Sequence, residues 1–222
     1  MLKTSEQFLS LHYVAVPAQP WKALEQAWDS RLPPGRLDVL LRRREPADRN
    51  ASLLGIALLE AACRERGLAF DPATLLYPPR GKPTLPLGPD FSIAHAGGLA
   101  ACLCWPLGAV GVDLEPAGAV GAGSLRLALG AAERARVAAG EFDPTAAWVM
   151  TEAVLKAVGL GIDAASRVRL GRSLAAATID GRTLHLRPAA LGPAYVAWVA
   201  HEQVAAGLRL VAHEPAEFAP LP

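Results

Sequence analysis

The chain has 222 residues, 52% of them hydrophobic and 19% charged, with a formal net charge of +1. That length supports a full core in one large domain or two small ones, and the charge balance excludes both a disordered chain and a polybasic nucleic-acid binder. No apolar run reaches the roughly eighteen residues of a membrane span, and the opening stretch MLKTSEQFLSLHYVAVP is too polar for a signal peptide.

In chain order, FLSLHYVAV (8–16) reads as a strand and WKALEQAWDSRLP as a helix stopped by Pro33 and Pro34. The Arg-rich run RLDVLLRRREPADRN (36–50) reads as a solvated helix face. A longer helix is expected from about Asn50 to Gly67, the glycine standing where a C-terminal cap belongs. Cys63, on that helix, and Cys102 and Cys104 beyond it lack metal or redox spacing, which predicts buried free thiols and a cytoplasmic protein. YPPRGKPTLPLGPD (77–90) is dense in Pro and Gly and reads as loop. LAACLCW (99–105) and AVGVDLE (109–115) follow, and the Pro106–Gly108 break between them predicts a hairpin.

The second part opens with AAERARVAAG, a helical pattern, and then PTAAWVMTEAVLKAVG, a strong helix with Pro144 near its start and Gly159 past its end. Five short alternating segments close the chain, with Asp180-Gly181 as a type I′ hairpin signal. Helices mixed with hairpins argue for an α+β fold over a doubly wound sheet. A boundary near residue 107 divides it into parts 1–107 and 108–222.

Five places offer chemistry. On a strand, Asp113 and Glu115 share a face about 6.6 Å apart, and a divalent cation such as magnesium would turn their repulsion into coordination; alone, so short a pattern is more often two solvated acids. Trp148, Glu152 and Lys156 fall at i, i+4 and i+8 on one helix face. The rest of that helix is apolar, so its charges need partners. His95 in DFSIAHAGG precedes a small turn whose backbone N–H groups can face an anion; Lys82 in PRGKP stands between Gly81 and Pro83; and the run 36–50 holds several arginines. Each of these three is, by itself, more often a satisfied or solvated side chain.

Taken in order, GKP, FSIAH, GVDLE and WVMTEAVLK resemble the 4′-phosphopantetheinyl transferases of the surfactin-synthetase-activating type, over roughly residues 34 to 162. The resemblance implies two similar α+β halves related by a pseudo-twofold, with coenzyme A and magnesium (or manganese) in the cleft between them. It implies Asp113 and Glu115 as metal carboxylates, Glu152 as a third ligand or the general base, and Lys156 as the group offsetting pyrophosphate charge. His95 and Lys82 match coenzyme A phosphate contacts. Asn50 falls at a 3′-phosphate ligand, with Arg49 beside it, and Arg36 stands for an upstream lysine. The reaction implied is transfer of the phosphopantetheine arm to a serine of an acyl or peptidyl carrier protein. Nothing in the sequence looks like an obligate interface, so a monomer is expected, and composition points to neither nucleic acid nor membrane as partner.

Three positions depart from the pattern: Ala94 for a serine, Thr151 for a lysine, and Gly130 for the hydroxyl residue three before Glu133. On this reading Ala94 removes a hydroxyl that could contact phosphate, Thr151 removes a positive charge near the site, and Thr151→Lys would tighten coenzyme A. Two rivals stand beside it: a relative that binds coenzyme A or a carrier without transfer, and a purely structural role for the acids.

Overall fold

The computed structural model describes residues 8–79, 81–205 and 207–221. The first sheet is built from β1 (Phe8–Ala15), β2 (Asp90–Ala96), β3 (Leu99–Trp105) and β9 (Gly207–His213), in the order β2-β3-β1-β9. β2, β3 and β1 pair antiparallel, whereas β9 lies parallel to β1. β3, buried at every position, reads as an unbroken apolar run because it lies between two strands and has no solvated face.

The second sheet runs β4-β8-β7-β6-β5, antiparallel throughout, from β4 (Val110–Pro116), β5 (Arg169–Leu170), β6 (Ala176–Ile179), β7 (Arg182–Pro188) and β8 (Tyr195–His201). Asp180 at φ +49° and Gly181 at φ +78° form the β6–β7 turn, as the Asp-Gly pair predicts.

One long helix backs each sheet. α3 (Pro46–Glu65) packs on β1, β2 and β3, and α6 (Pro144–Val158) packs on β4 and β8. α6 is bounded by local chemistry: Asp143 accepts a hydrogen bond from Ala146 N at 2.9 Å, Pro144 starts the first turn, and Gly159 takes φ +74° to close it. The shorter helices are α1 (Lys22–Asp29), α2 (Arg36–Leu41), α4 (Ala122–Ala128) and α5 (Ala131–Ala138). One core lies under α3, a second under α6, and a third between the sheets, where Leu9, Leu11 and Leu103 meet Val110, Val112 and Val199. The fold is therefore α+β with two sheets. Among the described residues no helix is long and apolar enough to cross a membrane.

Three expectations change. β3 and β4 are not a hairpin: the turn at 106–108 is there, but it passes the chain from one sheet to the other. A cut at 107 does not separate the sheets either, because β9 returns to complete the first one. Trp21 Nε1 donates to Pro220 O and pins the end of the chain against α1. The long helix begins at Pro46, because proline suits the first helical turn, where its missing N–H has no partner to lose. The three cysteines are free and buried, as expected.

The β1–β9 closure carries a titratable chain. His12 Nδ1 and His213 Nε2 lie 2.9 Å apart, and His213 Nδ1 lies 2.9 Å from Glu217 Oε2. His12 Nε2 is 3.0 Å from Glu65 Oε2 but without hydrogen-bond geometry. Burial lowers the His12 pKa to about 4, with Glu65 opposing and His213, Arg209 and Arg66 reinforcing. Between the unfolded imidazole value near 6.5 and this one, the unfolded chain binds a proton that the folded chain refuses. Stability from this group is thus complete above pH 6.5 and lost as pH falls toward 4, by on the order of 3 kcal/mol. Urea unfolding of the wild type should show that slope between pH 6.5 and 4.5, and His12→Asn should flatten it. An unchanged slope in the variant would assign the acid sensitivity elsewhere.

Candidate functional site

β4 and α6 bring the charged residues together. Gly111, Asp113 and Glu115 share one face of β4. A Cβ at Gly111 would stand 1.9 Å from Ala153 O of α6, so that face is the one the helix covers. Helix periodicity then carries Glu152 and Lys156 to the same place, and Lys156 Nζ donates to Asp113 Oδ1 at 2.7 Å. The other Asp113 oxygen, Oδ2, is buried without a hydrogen-bond partner, and the residue is 7% exposed.

The three acids press on one another. Burial raises the Asp113 pKa, against the pull of Lys156. Burial raises that of Glu115, and the Asp113 charge adds to it. Glu152 is raised by burial, then by Asp113, with Lys156 opposing and Glu115 adding a little more. Four ionisable groups share one neighbourhood, with more negative charge than Lys156 offsets. Among the described residues, however, no three His, Cys, Asp or Glu side chains close on one point as a metal cage. A hard cation held by one or two carboxylates and completed by ligand oxygens and water needs no such cage. The unpartnered, buried Asp113 Oδ2 is the donor this arrangement leaves for it.

A cavity of about 350 Å³ opens beside the cluster, lined in part by Arg36, Arg43, Ser52, Tyr77, Ile93 and His95. The Arg36 guanidinium lies over the Tyr77 ring, 3.6 Å from its centroid. His95 is held below the usual imidazole range, first by burial and then by Arg43 and Lys156. A second hollow of about 320 Å³ shares the Gly81, Pro83, Phe91 and Ile93 walls and reaches Glu152 and Lys156. The loop between them rests on the end of α6: Gly81 sits at φ +89°, where a Cβ would come 3.0 Å from Gly159 O. The result is a cleft with Glu152 and Lys156 at one side and the Arg36 and Arg43 guanidiniums at the other. It suits an anion carrying several phosphates.

Glu152, Lys156, His95 and Arg36 line the two hollows, with Asp113 paired to Lys156 and Glu115 two residues along β4, and the other predicted site residues make contacts of their own. Asn50 is 0% exposed and donates to Pro17 O at 2.7 Å and Gln19 O at 2.8 Å, so it ties α3 to the segment after β1 and cannot reach a phosphate. Arg49 spends its guanidinium on Arg43 O at 2.8 Å and lies 3.7 Å from Glu25, bracing the entry to α3. Lys82 lines the second hollow, but its Nζ donates to Asp90 Oδ2 at 2.6 Å and Val110 O at 2.9 Å, an inward ion pair in place of a free phosphate contact. Sequence reasoning misses Arg43 and Tyr77. Arg43 is one arginine of a charge run and Tyr77 one residue of a Pro-rich loop, and neither context marks which side chain lines the cavity.

The three departures also move out of the site. Ala94, 3% exposed, faces the core between the sheets, on the opposite side of β2 from His95. Thr151 is 0% exposed and donates to Ala147 O at 2.8 Å within α6. Gly130 is a tight place for a side chain: a Cβ there would meet Ser166 O at 3.0 Å and Glu133 Oε2 at 3.1 Å. Thr151→Lys is therefore expected to cost on the order of 3 kcal/mol by burying a charge, without tightening any phosphate ligand. Chemical denaturation and coenzyme A calorimetry on the variant check both halves; a stable variant with tighter binding would restore the sequence-based expectation.

No protein-family model matches the chain, and no curated protein matches it.

Proposed function

We propose that the protein transfers the 4′-phosphopantetheine arm of coenzyme A to a serine of an acyl or peptidyl carrier protein, and that its two halves are related by a pseudo-twofold axis across the cleft. One observation carries this reading: Asp113, Glu115, Glu152 and Lys156 cluster where β4 meets α6, Glu152 and Lys156 line one hollow, and that hollow shares walls with a cavity lined by Arg36, Arg43 and His95.

Arg36, Arg43 and His95 would hold the phosphorylated nucleotide end of coenzyme A, with Tyr77 and Ile93 as apolar walls. Asp113 and Glu115 would hold a magnesium ion, which when bound supplies positive charge to the diphosphate and polarises it. Glu152 takes the proton from the carrier serine as its oxygen bonds to the β-phosphate; its raised pKa brings it closer to the range where a carboxylate is an effective base. The bond from that phosphorus to the bridging oxygen breaks, 3′,5′-ADP leaves, and Lys156 offsets the charge on the departing phosphate. Lys156 is already seated for this, paired with Asp113 and half-exposed toward the hollow.

The non-transferring rival loses its motive, because Ala94 and Thr151 do not belong to the cleft. The test is direct. An apo carrier protein incubated with the protein, coenzyme A and magnesium should gain the mass of one phosphopantetheine arm, with 3′,5′-ADP released in equal amount. Tight coenzyme A binding with an unmodified carrier, across acyl and peptidyl carriers, would overturn the proposal in favour of a binding protein.

A further inference from the structure

β2 and β4 lie side by side as the facing edges of the two sheets, yet no backbone ladder joins them. Side chains of β2 replace the ladder. The outward N–H of Val110 donates to Asp90 Oδ2 at 2.8 Å, and that of Val112 donates to Ser92 Oγ at 3.0 Å. The same Asp90 oxygen accepts from Lys82, whose Nζ also reaches Val110 O. The stitches advance two residues at a time on both strands and stop just before His95 on β2 and Asp113 on β4. At the open end Tyr195 Oη, from β8, donates to Gly97 O at 2.6 Å, in the turn that follows His95. Gly97 there is at φ +57°, and a Cβ on it would meet Pro116 Cγ at 2.7 Å and Tyr195 Cε1 at 3.2 Å.

Buried edge amides must be satisfied somehow, and direct pairing would satisfy them with the strands about 4.8 Å apart. A side chain interposed between two backbones sets them wider. The hollow lined by Lys82, Ser92, Glu152 and Lys156 opens along this seam. A laddered β2–β4 pair would leave less room for it and would carry Asp113 nearer to His95.

We propose that Ser92 and Tyr195 are positioning residues that act through the seam: Ser92 sets where β4 presents Asp113 and Glu115, and Tyr195 sets the turn beside His95. The inference rests on the proposed function, in which the first pair holds a cation and the second side holds a nucleotide. The two residues then have separable effects, which a general loss of stability would not produce.

The experiment measures Mn²⁺ affinity by paramagnetic titration and 3′,5′-ADP affinity by calorimetry in the presence of chelator, on the full chain. Ser92→Ala is expected to weaken Mn²⁺ about tenfold, in the range seen for residues that orient metal ligands, and to leave 3′,5′-ADP unchanged. Ser92→Thr, which keeps the hydroxyl, should restore Mn²⁺ binding. Tyr195→Phe keeps the ring on Gly97, removes one exposed hydrogen bond, and is expected to weaken 3′,5′-ADP about fivefold without changing Mn²⁺. If either variant loses both affinities in step with its melting temperature, or loses neither, the seam only stabilises the fold and the proposal falls. A wild type that binds neither probe would sink the parent reading instead. Amide exchange then decides the seam: faster exchange confined to 112–115 in Ser92→Ala and to 97–99 in Tyr195→Phe supports it, and a uniform change across β8 and α6 overturns it.

Discussion

Glu152→Gln should raise the melting temperature by roughly 2 °C and, on the proposed function, slow phosphopantetheine transfer by about a thousandfold. Both effects come from one charge. The Glu152 pKa is raised by burial and by the Asp113 carboxylate, with Lys156 only partly compensating. A raised carboxylate pKa means that the folded chain holds its proton more tightly than the unfolded chain does. Stability contributed by the group is therefore present at low pH and lost as pH rises through the ordinary glutamate value and on to the folded one. At neutral pH the folded protein carries the full penalty of an ionised side chain among ionised neighbours. Glutamine keeps the shape and discards the penalty. On the proposed function it also discards the group that takes the serine proton. The gain in melting temperature should shrink below about pH 4.5, where glutamate is itself neutral in both states. Scanning fluorimetry across pH and a timed intact-mass assay read the two effects side by side. A variant that melts lower than wild type and still transfers within tenfold of it would remove Glu152 from both roles.

The penalty of burying these charges explains why the cluster stands out in the sequence itself. Asp113 and Glu115 close an apolar strand, and Glu152 and Lys156 interrupt an apolar helix; unneeded charges are seldom placed where burial penalises them. α6 is legible to the residue at both ends, because Asp143, Pro144 and Gly159 each act within one turn of the helix. The β6–β7 turn is legible for the same reason. What the sequence hides is long-range. Nothing near 106–108 shows that β4 leaves β3 and pairs with β8 instead, since a turn that closes a hairpin and a turn that changes sheets use the same residues. Nothing near β9 shows that it crosses back to β1.

Polar residues mislead in one direction. The resemblance implies that Asn50, Arg49 and Lys82 meet a phosphate, whereas in the fold each bonds a carbonyl or carboxylate of its own chain. Backbone oxygens left over at a helix entry or a sheet edge need donors as much as a ligand does, and sequence does not show those vacancies. The seam between β2 and β4 shows the same demand from the acceptor side. Ser92 and Asp90 look unremarkable in DFSIAH until β4 is known to lie opposite them with two amides to satisfy.

The convergence of β4 and α6 also sets the largest expected effect on stability. Gly111→Ala should destabilise the protein by on the order of 3 kcal/mol or more. Gly111 is buried, and the added methyl would stand 1.9 Å from Ala153 O and 2.6 Å from Ala157 N, both backbone atoms of α6. A flexible side chain could swing away; a helix backbone can yield only by moving as a body. Lifting α6 opens the core in which Met150, Val154 and Ala157 pack, and it draws Lys156 away from Asp113. Gly123→Ala is the matched control, because that glycine lies inside α4 with no atom within 4 Å of the new methyl. Alanine there should be neutral or stabilising by up to about 1 kcal/mol through helix propensity. Urea denaturation should therefore move the two variants in opposite directions, or move Gly111→Ala alone. Equal midpoints for wild type and Gly111→Ala would mean that α6 does not rest on β4 at this distance. Glu152 and Lys156 would then lose the contact that sets them beside Asp113, and the proposed chemistry would go with it.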